Sequence, residues 1–492
     1  MLRLLTPLLA LLLCRCSTMR VTGDSTAPQS SPPTTSGPPS ESAAPANCPR
    51  ATSLDRDAIA AELSCLLTAY VQLDTTNPPG AETRTATFLK ELLARDGIAS
   101  TLLAEDPQRS NLVARLPGKR GTGAIVLMHH MDVVPANAEE WTHPPLSGTV
   151  ADGYVWGRGT LDNKGPGLVE IMATLLFKRL AITPAHDIVV LAVADEEAGG
   201  GLGSHWLLEQ HRALFDDVKF VLNEGGIIAP PSDGAPGGAR IEVAQKSPLW
   251  LEVTAHGPSG HGSTPKPEAA SHRLISALNR LLAHPFPVQV VPAVQAAFAA
   301  KADSMPGEDR VAYADLAAAL TDEPFRSRFL ADPHNAALVR NTLSITMLSA
   351  SDKENVFSPT ASAMLDMRLL PGEDPQAVLA EVQRVIADPH IDLTPRLSFS
   401  APASPSSGPL FDAVRALVAE RYPGLSVSAN VIGGFTDCSA FRAAGIACYG
   451  FLPLSLPPAA FAGFHGKDER VELEALVTAV LNLYRLLELV PS

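Results

Sequence analysis

Three apolar runs in this chain break on groups that can do chemistry. "AIVLMHHMDVVP" (124–135) surfaces on His129, His130 and Asp132, "DIVVLAVADEEAGG" (187–200) ends on Glu196 and Glu197, and "VKFVLNEGG" (218–226) ends on Glu224. Strands that end this way can place their terminal residues in one crevice, because in open parallel sheets the functional cleft lies beyond the carboxyl ends of the strands. Imidazole with carboxylate suits a divalent cation such as zinc. A further acid, Asp162, sits in "VWGRGTLDNKGPG", a glycine-punctuated loop opening a helix, and a late imidazole, His465, sits in "FHGKDERV". Taken singly each has an ordinary reading: Asp162 as a helix cap, the paired glutamates as a solvated loop, His465 as a surface histidine.

The elements that must position them can be read from periodicity. "LDRDAIAAELSCLLTAYVQL", "TRTATFLKELLARDG" and "GPGLVEIMATLLFKRLA" (165–181) carry helical spacing, and they alternate with the apolar strands. That order predicts a mainly parallel sheet covered on both faces. Between Ser247 and Ala401 the order becomes β-α-β-β-α-β, the split ferredoxin-like unit, with a mostly helical insertion at roughly 290–340. The fold expected is α/β: a catalytic domain with a mainly parallel sheet, in two parts (51–246 and 402–492), interrupted by a smaller ferredoxin-like α+β lid or dimerisation domain (247–401). Whether the insertion caps the cleft or the smaller domain dimerises stays open.

At 492 residues, 46% of them apolar and 18% charged, the chain is long enough for two or three globular domains. A net charge of −14 speaks against a nucleic-acid binder, which would need a basic stripe to meet phosphate. Residues 1–16 read as a signal peptide, with Arg3 ahead of "LLTPLLALLLC", an apolar run too short to span a bilayer comfortably. Cys14 closes a stretch that resembles a bacterial lipobox, although Leu13 stands where a small residue is expected. An exported protein follows, periplasmic or at the cell surface, with a lipid anchor as the leading form. A cleaved signal without lipid is the second reading and an uncleaved membrane anchor the third. Residues 17–50, rich in Ser, Thr and Pro, read as a disordered tether. The six cysteines (14, 16, 48, 65, 438, 448) form no C-x-x-C pair, and Cys48–Cys65 or Cys438–Cys448 disulfides suit an oxidising compartment.

"MHHMDVVP", "GRGTLDNKGP", "VADEEAGGGLGS", "NEGG", "GPSGHGSTP" and "FHGKDERV" fall in an order and spacing that resembles the zinc-dependent amidohydrolases and peptidases that include aminoacylase, acetylornithine deacetylase, succinyl-diaminopimelate desuccinylase and carboxypeptidase S. The resemblance covers about residues 54–489. "NEGG", "GHGSTPKPEAAS" and "GFLPLSLPPAAFAGFHGKDERV" look most similar to the carboxypeptidase S and N-fatty-acyl-amino-acid hydrolase branch. It implies two zinc ions per chain (cobalt or manganese being alternatives), with Asp162 bridging, His130 and Glu224 on one ion, and Glu197 and His465 on the other. Asn223 stands where many relatives have an acid, which favours Glu224 as the ligand. Glu196 is then the general base. In an extended H-x-D stretch His130 and Asp132 project to one side, so Asp132 is expected to accept a hydrogen bond from the imidazole and fix its tautomer, while His129 points away and packs. Glu196 and Glu197, adjacent in extended chain, face opposite ways. The resemblance also implies substrate-binding roles for His261, often supplied across a dimer interface, for Asn355 in "KENVFSP" and for Arg368 in "LDMRLLPG".

These residues predict cleavage of the amide bond of N-acyl amino acids or of C-terminal residues of small peptides, because Arg368 offers a fork to a substrate carboxylate. A dipeptidase or aminopeptidase of the same family is the alternative. A catalytically inactive binding module is the alternative from another class, and it would expect a missing ligand or base where this chain has all six positions filled.

Overall fold

The computed structural model describes residues 45, 47–119, 121–231, 237–302, 305 and 307–491. The expected signal segment, Cys14 and nearly all of the tether lie outside them.

The larger sheet has the strand order Ser100–Leu103, Asn111–Leu116, Asp187–Val193, Ala124–His130, Val218–Asn223, Cys448–Gly450, Gly238–Gln245, Ser426–Ile432. The three strands ending toward Glu196, His130 and Glu224 are adjacent and parallel. Antiparallel pairing appears at the Asn111–Leu116 side and where Cys448–Gly450 meets Gly238–Gln245. Every residue of Ala124–His130 is buried, as expected of a strand covered on both faces. Its alternate side chains divide between two cores. Ala124, Val126 and Met128 pack with Phe215 and Phe441. Ile125 and Leu127 join the helices Lys164–Arg179, Leu473–Leu489 and Arg56–Val71 on the opposite face. There Phe177 stacks on Tyr484 with ring centroids 4.3 Å apart, the kind of buried aromatic whose truncation costs about 3–5 kcal/mol.

The smaller sheet, ordered Thr342–Ser349, Thr360–Leu369, Ser247–His256, Ile391–Ser398, is antiparallel throughout. With the helices Ala270–Leu282 and Pro375–Ile386 it has the expected ferredoxin-like connectivity. Along Thr360–Leu369 burial alternates: Ala361, Ala363, Leu365, Met367 and Leu369 enter the core of this unit, which turns Asp366 and Arg368 to the other face.

The insertion forms five short helices between Pro292 and Leu338. Val294, Phe298, Phe325 and Phe329 join the same core as Ile241, Ala429 and Val431 of the larger sheet. Lys246, at the crossover between the two sheets, donates from Nζ to the carbonyls of Ala337 and Arg340, both at 2.8 Å. The insertion thus covers the outer edge strand Ser426–Ile432, a common way of protecting a sheet edge, and none of its described residues lines the cavity described below. Both disulfides, Cys48–Cys65 and Cys438–Cys448, are formed.

Candidate active site

His130 ends its strand with its side chain buried, and Nε2 lies 2.9 Å from Asp162 Oδ1 and 3.7 Å from Glu224 Oε1. The other oxygen of Asp162, Oδ2, is 3.1 Å from His465 Nε2, which in turn is 3.3 Å from Glu197 Oε2. One carboxylate therefore faces two imidazoles, each with a further glutamate beside it. Donor atoms of His130, Asp162 and Glu197 fall within 4.8 Å of one another, as do those of His130, Glu196 and Glu224. All six candidate residues are brought together around Asp162 and His130.

The electrostatics call for positive charge. Burial alone would push the His130 imidazole down, yet Glu224, Asp132 and Asp162 together hold it well above its ordinary value. Hydrogen bonding to Asp162 and then Glu197 raises His465 to about 10. Burial, with the neighbouring acids, drives Glu196 and Glu224 well above the usual carboxylate range. Glu197 Oε1 is buried with no hydrogen-bond partner. Packed acids with an orphaned oxygen are a costly arrangement unless a cation pairs with them, so the residues present fit a metal centre.

Two expectations about local geometry change. The main partner of His130 Nδ1 is the backbone carbonyl of Asp132 at 2.9 Å, with the carboxylate at 3.5 Å. The Asp132 carboxylate is turned to the acidic loop instead, accepting the backbone N–H groups of Glu196 (3.2 Å) and Glu197 (3.0 Å) and the Asn77 amide (2.8 Å). Glu196 and Glu197 are also not in extended chain. They form one turn of 3₁₀ helix after Asp195, whose φ of 70° is left-handed, and the turn separates their side chains. His129 packs away from the centre as expected, with Nδ1 2.8 Å from Glu170 Oε2.

A cavity of about 470 Å³ opens on the cluster. Asp162, Glu196, Glu197, Glu224 and His465 line its polar part, while Ile227, Ile432, Phe435, Leu452, Leu454 and Phe464 line its apolar part. Arg368 also lines it, from the smaller sheet. Its Nε and one Nη already donate to Asp366 at 2.7 and 3.1 Å, and its guanidinium lies over the Phe435 ring at 5.2 Å. The edge carrying Nη1 is left for a ligand. His261 and Asn355 are near each other, His261 Nε2 being 3.5 Å from Asn355 Nδ2, but both are exposed and neither lines the cavity. The backbone N–H of Ser263 (3.1 Å) and the Ser263 hydroxyl (2.7 Å) both lie against His261 Nδ1.

Sequence reasoning missed the residues that brace this site. Arg109 bridges Glu82 and Asp195 in a buried network beneath the Glu196 turn. Asp437, pushed up to about 7 by burial, is hydrogen-bonded by Ser204. Glu469 is buried against the Asp162 loop. Each lies in a polar stretch that reads as solvated loop, and only the long-range pairing reveals its position.

Acids and imidazoles converging at the ends of parallel strands, with an apolar cavity before them, define a metal-dependent hydrolase. Residues 126–489 match Peptidase family M20/M25/M40, and the chain belongs to that family. It is 30% identical over 377 residues to the N-fatty-acyl-amino acid synthase/hydrolase PM20D1 of Homo sapiens, covering 74% of this chain and 73% of that protein. It is 28% identical over 381 residues to the probable carboxypeptidase S-like 2 of Dictyostelium discoideum, covering 74% and 71%. Among solved structures, the M20 metallo-carboxypeptidase Sso-CP2 of Sulfolobus solfataricus shares the fold with a TM-score of 0.68 at 16% identity, over 87% of this chain and 99% of that one. The dinuclear metal-binding peptidase YXEP of Bacillus subtilis matches with a TM-score of 0.53 at 15% identity, over 88% and 98%.

Proposed function

We propose that this protein hydrolyses the amide bond of N-acyl amino acids, or of C-terminal residues of small peptides, with two zinc ions held by His130, Asp162, Glu197, Glu224 and His465. Bound there, the ions would polarise the scissile carbonyl and supply an acidified water for attack. Glu196, beside His130 and Glu224 but outside the Asp162 bridge, accepts the proton of that water and passes it to the leaving nitrogen. Asp132 holds the Glu196–Glu197 backbone in place for this. Charge developing on the carbonyl oxygen needs a further donor, and the His261 imidazole has the right chemistry. Because His261 lies outside the cavity of its own chain, this reading has it reach the site of a second copy. The exposed Met347 and Leu348 on the edge strand Thr342–Ser349 support pairing of two smaller domains.

The observation that carries the reading is Arg368. A fixed guanidinium shares a cavity with the acid–imidazole cluster, and much of the remaining wall is apolar, which suits a carboxylate at one end of the substrate and an apolar acyl group at the other. A substrate with a free α-carboxyl should be cut about tenfold faster than its amide analogue, because only the carboxylate accepts a charge-assisted hydrogen bond from a guanidinium that Asp366 already shares. Arg368→Lys should restore only part of that preference, because an ammonium lacks the planar fork. Equal cleavage of acid and amide by the parent protein would overturn the assignment in favour of an aminopeptidase.

The same reading keeps the division into catalytic parts 51–246 and 402–492 around a lid at 247–401, with the 290–340 helices allied to the catalytic sheet. It also keeps export with lipidation at Cys14, which the two disulfides support. Release of Cys14→Ser from membranes is the expected result, and unchanged fractionation would count against it.

A further inference from the structure

Glu469 is outside the candidate ligand set, yet its carboxylate is fully buried and takes four partners. It accepts the backbone N–H groups of Gly159 (3.1 Å), Leu161 (2.7 Å) and Asp162 (3.1 Å), and pairs with Arg158 Nη1 at 2.7 Å. Three backbone donors converging on one carboxylate form an anion-binding nest, here filled by the protein itself. The loops joined lie about 300 positions apart in the chain. A second thread runs the same way: Arg158 Nη2 donates to the His465 carbonyl at 3.3 Å, and the Gly157 N–H donates to the Glu469 carbonyl at 2.9 Å.

These contacts fall where the cluster is least supported. His130, Glu196 and Glu224 follow buried strands that fix them. Asp162 and His465 are held only by loops, and His465 is 56% exposed with a left-handed φ of 55°. More than half of its imidazole is open to solvent, so the position of Nε2 depends on its backbone. Asp162 must present one oxygen to each imidazole, which tolerates little movement of its own backbone. We infer that Glu469 is a positioning residue for the metal-holding cluster, locking the backbone of the Asp162 loop to that of the His465 loop. The inference rests on the reading of the cluster as a metal centre.

The test uses the full-length, zinc-loaded protein and Glu469→Gln, which keeps the size of the side chain but loses its charge and one acceptor oxygen. Two quantities are read: the rate of zinc loss to a chromogenic chelator, and the rise in Tm that zinc gives over the metal-free form. Partners beyond the ligands typically contribute about 10–100-fold to metal affinity, so zinc loss should accelerate by about that factor and the zinc-dependent rise in Tm should shrink. A residue that only stabilises the fold would lower both Tm values in parallel and leave the rise and the loss rate unchanged. That result overturns the inference. If Glu469→Gln does not accumulate as folded protein, Arg158→Lys serves, because it keeps a cation for Glu469 and removes the arm to the His465 carbonyl. Faster zinc loss supports the inference, and a parental rate overturns it. A parent protein that takes up no zinc overturns the metal reading together with this one, whereas a parent that binds zinc and variants that hold it equally well overturn this one alone.

Discussion

At the scale of single residues, two glutamates adjacent in sequence have separate surroundings. Glu197 Oε2 faces His465, while Glu196 groups with His130 and Glu224. Glu196→Gln should therefore retain zinc and lose turnover by about 10²–10⁴-fold, the usual contribution of a general acid–base group. Metal content and single-substrate kinetics check this, and loss of metal with Glu196→Gln would exchange the two roles. The paired histidines divide just as sharply. His465→Ala should lose metal, because Nε2 lies 3.1 Å from Asp162 and 3.3 Å from Glu197. His129→Ala should keep it and lose stability instead, since Glu170 would be left buried without its partner. Elemental analysis of both variants decides the matter; full zinc content in His465→Ala would remove that residue from the ligand set.

At the scale of elements, the turn into the helix Lys164–Arg179 sets the height of Asp162. Gly165 lies in the first turn of that helix, and a Cβ there would sit 2.0 Å from the Thr160 carbonyl oxygen. No real side chain fits at that distance, so Gly165→Ala must push the Thr160–Asp162 loop away from its seat on Glu469. The expected outcome is a lower Tm together with weaker zinc binding, measured by calorimetry and by competition with a chelator. A variant with parental values of both would show that the loop relaxes freely. The strands ending in His130, Glu196 and Glu224 were legible in the sequence because a buried parallel strand must be almost wholly apolar, and its polar end then stands out. The ferredoxin-like unit was legible for a similar reason, its strands alternating between a core face and an outer face. What hides from the sequence is contact between distant polar segments. "DPQRSNL", "GGFTDCSA" and "GKDER" give no periodic signal, yet they supply Arg109, Asp437 and Glu469. The Glu196–Glu197 turn was misread as extended because nothing in "ADEEAGG" announces a left-handed Asp195. Its departure from strand geometry depends on Asp132, Glu82 and Arg109, which arrive from other elements.

At the scale of the whole molecule, the cavity within one chain gathers the acids, His465 and Arg368, while His261, proposed to act there, is not among its lining residues. That imidazole stays exposed beside Asn355 and outside the cavity. Under the proposed role of His261, either the smaller unit swings until its own His261 reaches the cluster, or a second copy supplies it. The two routes separate cleanly by complementation. His261→Ala keeps Glu196 but has no donor to offer, and Glu196→Gln keeps the donor but has no base. Under supply from a partner, a mixed dimer of the two has one site that receives both groups. Random pairing of equal amounts makes about half the dimers mixed, each with one working site of two, so co-expression should restore about a quarter of parental activity. Supply from the same chain gives no restoration, and co-expressed protein would then show only the average of the two variants measured alone. Sedimentation at the assay concentration completes the test, because a monomer with full activity would leave closure within one chain as the remaining route and would assign the exposed Met347–Leu348 edge to some other contact.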